Sequence, residues 1–168
     1  MTQFYKVSKE QFEKDCERIF HYPFRHDDYN DLKEPMRATR GSAGYDIYAP
    51  YNFMLHPGDT TTIPTGMKIE LNAHQFLMIV PRSGLGFKYQ LGLCNTVGII
   101  DSDYYNNSKN EGHIMVKLVN RGDTTVKIEA GQAFCQGIIL PFDICDDDNI
   151  LFARKGGFGS TDNKEVSV

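Results

Sequence analysis

The chain has 168 residues, of which 40% are hydrophobic and 24% charged, a composition that suits one globular domain with a real core. Its formal net charge of −4 excludes a nucleic-acid or anionic-membrane binder that works through bulk charge. No apolar run approaches the ~20 residues of a membrane helix, so a soluble, intracellular, cytoplasmic protein is expected.

The four cysteines, Cys16, Cys94, Cys135 and Cys145, form no Cys-x-x-Cys pair and have no zinc-finger spacing to a histidine. They read as free thiols of a reducing compartment.

Near the N-terminus, Ser8 and Gln11 fit a capping box, and Phe12, Cys16, Ile19 and Phe20 share one helical face. A helix over Lys9 to Phe20 is predicted. His21 to Glu34 is rich in Asp, Asn, Pro and Tyr and reads as an extended linker. The first unit is thus 1–34, a helix and linker outside the compact core.

From Pro35 short apolar runs alternate with Gly, Pro, Asn and Asp, an all-β pattern. Ile63 to Leu71 alternates partly around Met67, Ile69 and Leu71. Phe76 to Val80 is continuously apolar and predicts a strand buried on both faces. Ile114, Val116 and Leu118 form one strand face, and Val126 with Ile128 another, ended by Gly131. Phe134 to Leu140 predicts a strand that stops at Pro141. Many short strands without amphipathic helices suggest a sandwich, barrel or jelly roll for residues 35–148.

Asn106 to Gly112 is a polar loop longer than a tight hairpin needs. Asp146-Asp147-Asp148 reads as a solvated turn. The third unit, 149–168, holds Arg154-Lys155-Gly156-Gly157-Phe158-Gly159-Ser160-Thr161. Its glycines let backbone N–H groups wrap an anion, yet no P-loop frame is present. The five histidines are scattered. His26-Asp27-Asp28 lacks the partners of a metal motif.

Gly98-Ile99-Ile100-Asp101-Ser102-Asp103-Tyr104 carries the most chemistry. A carboxylate at the end of an apolar strand is rigidly held and can orient and deprotonate a water. An aromatic three residues later can pack on a sugar or base. The plainer alternative is a strand end, with Asp101 starting a turn and Tyr104 half-buried.

Five segments stand in order: Ala43-Gly44-Tyr45-Asp46-Ile47-Tyr48-Ala49, Pro81-Arg82-Ser83-Gly84-Leu85-Gly86, Asn95 to Tyr104, Gly131-Gln132-Ala133-Phe134-Cys135-Gln136-Gly137, and the glycine-rich arm. Their order and spacing resemble the five motifs of the homotrimeric dUTPase family, from about Pro35 to Thr161. The fourth motif departs from the pattern: Gln132 and Ala133 replace an acid and an arginine, while Gly131 and Gln136 remain.

The resemblance implies a jelly-roll or distorted β-barrel, assembled as a homotrimer with shared active sites. It implies cleavage of dUTP to dUMP and pyrophosphate with Mg2+. Asp101 would be the general base, Arg82, Ser83 and Gly84 the phosphate element, and Gln136 a contact to phosphate or metal-bound water. Asp46 would act on magnesium indirectly, through water. Main-chain groups of Asn95, Gly98, Ile99 and Ile100, with the return strand near Met115, would read uracil. Tyr104 would pack under the deoxyribose. Phe158 would stack on uracil, while Arg154, Gly159 and Ser160 reach the phosphates.

Two alternatives remain at this point. The related dCTP deaminases need a glutamate where Lys117 stands. A regulatory module using dUTP as a switch could contact a protein through the N-terminal helix or the Asn106–Gly112 loop.

Overall fold

Period-two alternation builds short antiparallel strands throughout the computed structural model, which describes residues 1–20 and 27–150. In chain order the elements are β1 (Gln3–Lys6), α1 (Lys9–Phe20), α2 (Asp27–Asn30), β2 (Met36–Arg37), β3 (Gly44–Tyr48), β4 (Phe53–Leu55), β5 (Thr60–Pro64) and β6 (Met67–Glu70). There follow β7 (Gln75–Pro81), α3 (Ser83–Tyr89), β8 (Leu91–Leu93), β9 (Gly98–Asp101), a 3-10 turn (Ser102–Tyr104), β10 (Met115–Asn120), β11 (Val126–Ile128) and β12 (Ala133–Pro141).

The largest sheet has the order β2-β3-β12-β7-β9, and a second has β5-β10-β8. Two ribbons, β1-β6 and β11-β4, complete a jelly-roll-like all-β fold, in which no barrel closes among the described strands. The inward residues Ile47, Leu55, Ile63, Leu77, Ile79, Ile114, Leu118 and Phe134 form the main core. Each buried side chain of this size contributes about 1.5–3 kcal/mol of transfer free energy.

Helix α1 has its expected bounds, but the N-terminal segment is woven into the fold. Gln3 to Lys6 form an unexpected strand that pairs in register with Met67 to Glu70. Phe12 and Cys16 then pack with Val7, Leu32 and Met67 in a second small core. Too short to show a period, β1 is stabilised by its non-local partner. The expected linker also contains a helical turn, α2, and Leu32 is buried.

Half of the expected capping box forms. Ser8 Oγ accepts the Gln11 N–H at 3.1 Å, but the Ser8 N–H donates to Glu111 at 2.9 Å instead of to Gln11. The Gln11 side chain turns to Asp15 at 2.7 Å.

Strand β7 is not buried on both faces: Leu77 and Ile79 are enclosed, whereas Phe76, Met78 and Val80 are half-covered. Strand β12 stops at Pro141, as expected, with that residue opposite Gln75. At the end of a ladder the missing N–H costs nothing.

The Asn106–Gly112 loop is folded back on Tyr104. Asn107 Nδ2 donates to the Tyr104 carbonyl at 2.8 Å, and Asn107 Oδ1 accepts the N–H of Lys109 at 3.1 Å. Gly112 has φ +79°, and a Cβ there would lie 2.6 Å from the Tyr104 carbonyl oxygen, so glycine permits this closure. The 146–148 run is an exposed turn, as expected.

Candidate active site

Strands β3 and β12, with the segment after β7, bring Asp46, Gln136, Arg82 and Ser83 to one cleft. Gln136 lies opposite both Asp46 on β3 and Val80 on β7. Direct cross-strand partners project to the same face, so Asp46 and Gln136 emerge together. A bulge between Ala133 and Cys135 adjusts the register just before Gln136. Arg82 follows β7 directly in extended backbone before α3.

The cleft encloses about 450 Å³ and is lined by Ser42, Asp46, Arg82, Ser83, Gly84 and Gln136, together with Ala38, Gly44 and Leu85. Arg82 Nε pairs with Asp46 Oδ1 at 3.0 Å, and an Arg82 terminal nitrogen donates to the Ala133 carbonyl at 3.3 Å. The guanidinium is thus aimed by a carboxylate and a carbonyl while 40% of its side chain stays accessible. Gln136 Nε2 donates to the Pro81 carbonyl at 3.2 Å. A Cβ on Gly44 would collide with Gln136 Oε1, so glycine makes room for that amide. A Cβ on Gly84 would meet nothing, which leaves its backbone open to a ligand.

Behind Asp46 lies Cys135, fully enclosed. Burial first, and the Asp46 charge second, push its thiol far above the usual range. It remains protonated and is no nucleophile.

The remaining site residues stand elsewhere on the chain. Asn95 is exposed in the turn before β9, and Gly98, Ile99, Ile100 and Asp101 form that strand. β9 is an edge of the five-stranded sheet, so one side of its backbone has no partner strand among the described residues. Ile100 points inward, while Ile99 is 51% exposed. Met115 opens β10 and is half-buried.

Tyr104 is only 4% exposed. Its hydroxyl donates to the His113 carbonyl at 3.0 Å and accepts from Asn110 Nδ2 at 2.7 Å. Most of the ring belongs to the core. Arg154, Phe158, Gly159 and Ser160 lie outside the described residues.

Asp101 faces Phe76 across the ladder, whereas Arg82 follows the opposite end of β7. At strand rise the two are roughly 20 Å apart along β7. Gly98, opposite Ile79, lies between them.

Sequence reasoning did not single out Ser42, Ala38 or Phe87. Phe87, on α3, is 93% exposed and lines a shallow depression of about 290 Å³ beside Pro81, Arg82 and Ser83. Lys117 is an exposed lysine on β10, paired with Thr62, which offers no carboxylate for deamination.

Among the described residues, no three His, Cys, Asp or Glu side chains come together as a metal cage. The cleft offers one carboxylate and one amide. Such a donor set fits magnesium that arrives on phosphates and retains its waters.

An antiparallel β scaffold with an arginine-bearing polar cleft, and a second carboxylate on an edge strand, is equipped to bind a small anionic ligand. Comparison with known proteins narrows this class. A family model described as dUTPase matches residues 30–161. The deoxyuridine 5'-triphosphate nucleotidohydrolase of Lactococcus lactis subsp. lactis is 44% identical over 129 residues, covering 76% of this chain and 86% of the relative. That of Hahella chejuensis is 43% identical over 143 residues, covering 80% and 90%. The crystal structure of the dUTPase from Streptococcus mutans superposes with a TM-score of 0.66 at 34% identity, over 85% of this chain and 98% of that one. The chain belongs to the dUTPase family, a family of dUTP diphosphatases. Among the described residues no helix is long and apolar enough to cross a membrane.

Proposed function

We propose that this chain hydrolyses dUTP to dUMP and pyrophosphate at sites assembled between copies of a homotrimer. The observation that carries the reading is the order of residues along β7. Within one chain the base-reading backbone at Gly98 lies between Arg82 and Asp101. In dUTP all phosphates lie on one side of the base. Arg82 and Asp101 of a single chain therefore cannot serve one triphosphate. Closed threefold symmetry brings Asp101 of one copy to the Arg82 cleft of another. The exposed apolar residues Ile99 and Phe87 support such contacts.

In this mechanism Asp101 orients a water in line with the α-phosphorus and takes its proton. The water oxygen bonds to phosphorus as the bridging α–β oxygen departs with pyrophosphate. Arg82 neutralises the accumulating charge, and the Ser83 hydroxyl hydrogen-bonds the departing oxygen. Asp46 and Gln136 would hold magnesium through water, and the ion would supply charge neutralisation when bound. The β9 edge, with Asn95, Ile99, Ile100 and Met115 around it, reads the N3–H and O4 of uracil. Cytosine presents the reverse pattern and would leave buried groups unpaired. Tyr104 supports the deoxyribose. By resemblance Phe158 would meet the base, and Arg154, Gly159 and Ser160 the phosphates. Acting on the cytoplasmic nucleotide pool, the reaction limits uracil incorporation into DNA and supplies dUMP for dTTP synthesis.

Product analysis with dUTP, dCTP, dTTP and UTP in the presence of magnesium tests this. Pyrophosphate and dUMP from dUTP alone are expected. Ammonia from dCTP, or tight dUTP binding without turnover, would contradict it.

A further inference from the structure

One buried titratable pair takes no part in the chemistry above. His113 is completely enclosed, and Asp15 on α1 is 3% exposed. Asp15 Oδ2 lies 2.8 Å from His113 Nδ1, and the Gly66 backbone N–H donates to His113 Nε2 at 2.8 Å. An Nε2 that accepts a backbone N–H carries no proton, so the proton sits on Nδ1 and is donated to Asp15. Gln11 and Arg18 hold the same carboxylate, at 2.7 and 3.1 Å.

The same histidine reaches toward the substrate pocket through its backbone. Its carbonyl accepts the Tyr104 hydroxyl, and its chain runs directly into Met115 at the start of β10. A second tie lies at the N-terminus of α1. Ser8 donates to Glu111 from both Oγ, at 2.6 Å, and N, at 2.9 Å. The helix thus grips the Asn106–Gly112 loop twice. That loop in turn holds Tyr104 through Asn107 and Asn110. The helix N-terminus and the Asn106–Gly112 loop are thus engaged with each other.

We infer that α1 is a positioning element for the reaction: through Asp15–His113 and Ser8–Glu111 it fixes Tyr104 beneath the sugar and so sets discrimination against a 2′-hydroxyl. Asp15 and His113 are positioning residues, because neither touches substrate. The inference rests on the dUTP-hydrolase reading. A tyrosine held to within a few tenths of an ångström leaves no room for an extra oxygen, and a loosened one does.

The test is the ratio of kcat/KM for dUTP to that for UTP, measured well below each variant's melting temperature. Asp15→Ala should lower the ratio about tenfold or more, with kcat for dUTP changing less than KM. Leu32→Ala, a cavity in the same small core that spares both ties, should leave the ratio unchanged. A ratio for Asp15→Ala within about twofold of the unaltered protein's, or an equal fall in Leu32→Ala, overturns the inference. If Asp15→Ala does not fold, Glu111→Gln is read the same way, with about a threefold fall expected and an unchanged ratio overturning it. Absence of dUTP turnover by the unaltered protein would instead overturn the hydrolase reading itself.

Discussion

Asp101 and Arg82 stand beside opposite ends of β7. Asp101 is paired across the ladder from Phe76, and Arg82 follows Pro81. Each is well presented where it is, Asp101 at the end of an edge strand and Arg82 beside Asp46 at 3.0 Å. In the proposed reading each site joins the Arg82 cleft of one copy to Asp101 of another.

Asp101→Asn should remove the proton acceptor while preserving shape. Pyrophosphate release from dUTP should fall about 10²–10⁴-fold, with the melting temperature nearly unchanged.

Arg82→Lys keeps the charge but loses the planar fork that meets Asp46 and the Ala133 carbonyl together. KM for dUTP should rise about tenfold or more. Steady-state kinetics at saturating magnesium will show whether lysine suffices.

Gly44→Ala places a methyl group against Gln136 Oε1 and must displace that amide from the cleft. Turnover should fall by about tenfold or more with modest loss of stability. A crystal structure of the variant should show Gln136 rotated toward solvent.

His113 gives stability a pH dependence of defined sign. Burial holds it below the ordinary histidine value of 6.5, although the neighbouring Asp15 pulls the other way. The unfolded chain therefore takes up a proton near 6.5 that the folded chain refuses. Stability from this group is present above that pH and lost as pH falls below it. His113→Asn should flatten the fall in melting temperature between about pH 6.5 and 5.

Phe12 is fully enclosed in the small N-terminal core, against Tyr29 and His113. Phe12→Ala should cost about 3–5 kcal/mol, read by denaturant unfolding. A cost below about 1 kcal/mol would mean the helix is only loosely attached.

Much of this was legible from local pattern. Ile114, Val116 and Leu118 alternate because one face of β10 is core, and α1 has the bounds its periodicity and Ser8 predict. The spacing of Asp46, Arg82, Asp101 and Gln136 carried the family resemblance. What stayed hidden depends on non-local partners. Gln3 to Lys6 are a strand only because Met67 to Glu70 lie alongside. Glu111 replaced Gln11 in the helix cap from 103 residues away. Asp15 and His113 meet across 98 residues, a distance no spacing rule spans. The gap between Arg82 and Asp101 likewise became visible only with the register of β7 and β9.

The most direct test of the composite site mixes two inactive proteins. Asp101→Asn and Arg82→Ala chains are refolded together in equal amounts and assayed for pyrophosphate release from dUTP. If Asp101 and Arg82 act from different copies, some sites receive both intact residues, and about a quarter of full activity should return. If both residues act within one chain, the mixture will be as inactive as either variant alone, and the account is wrong.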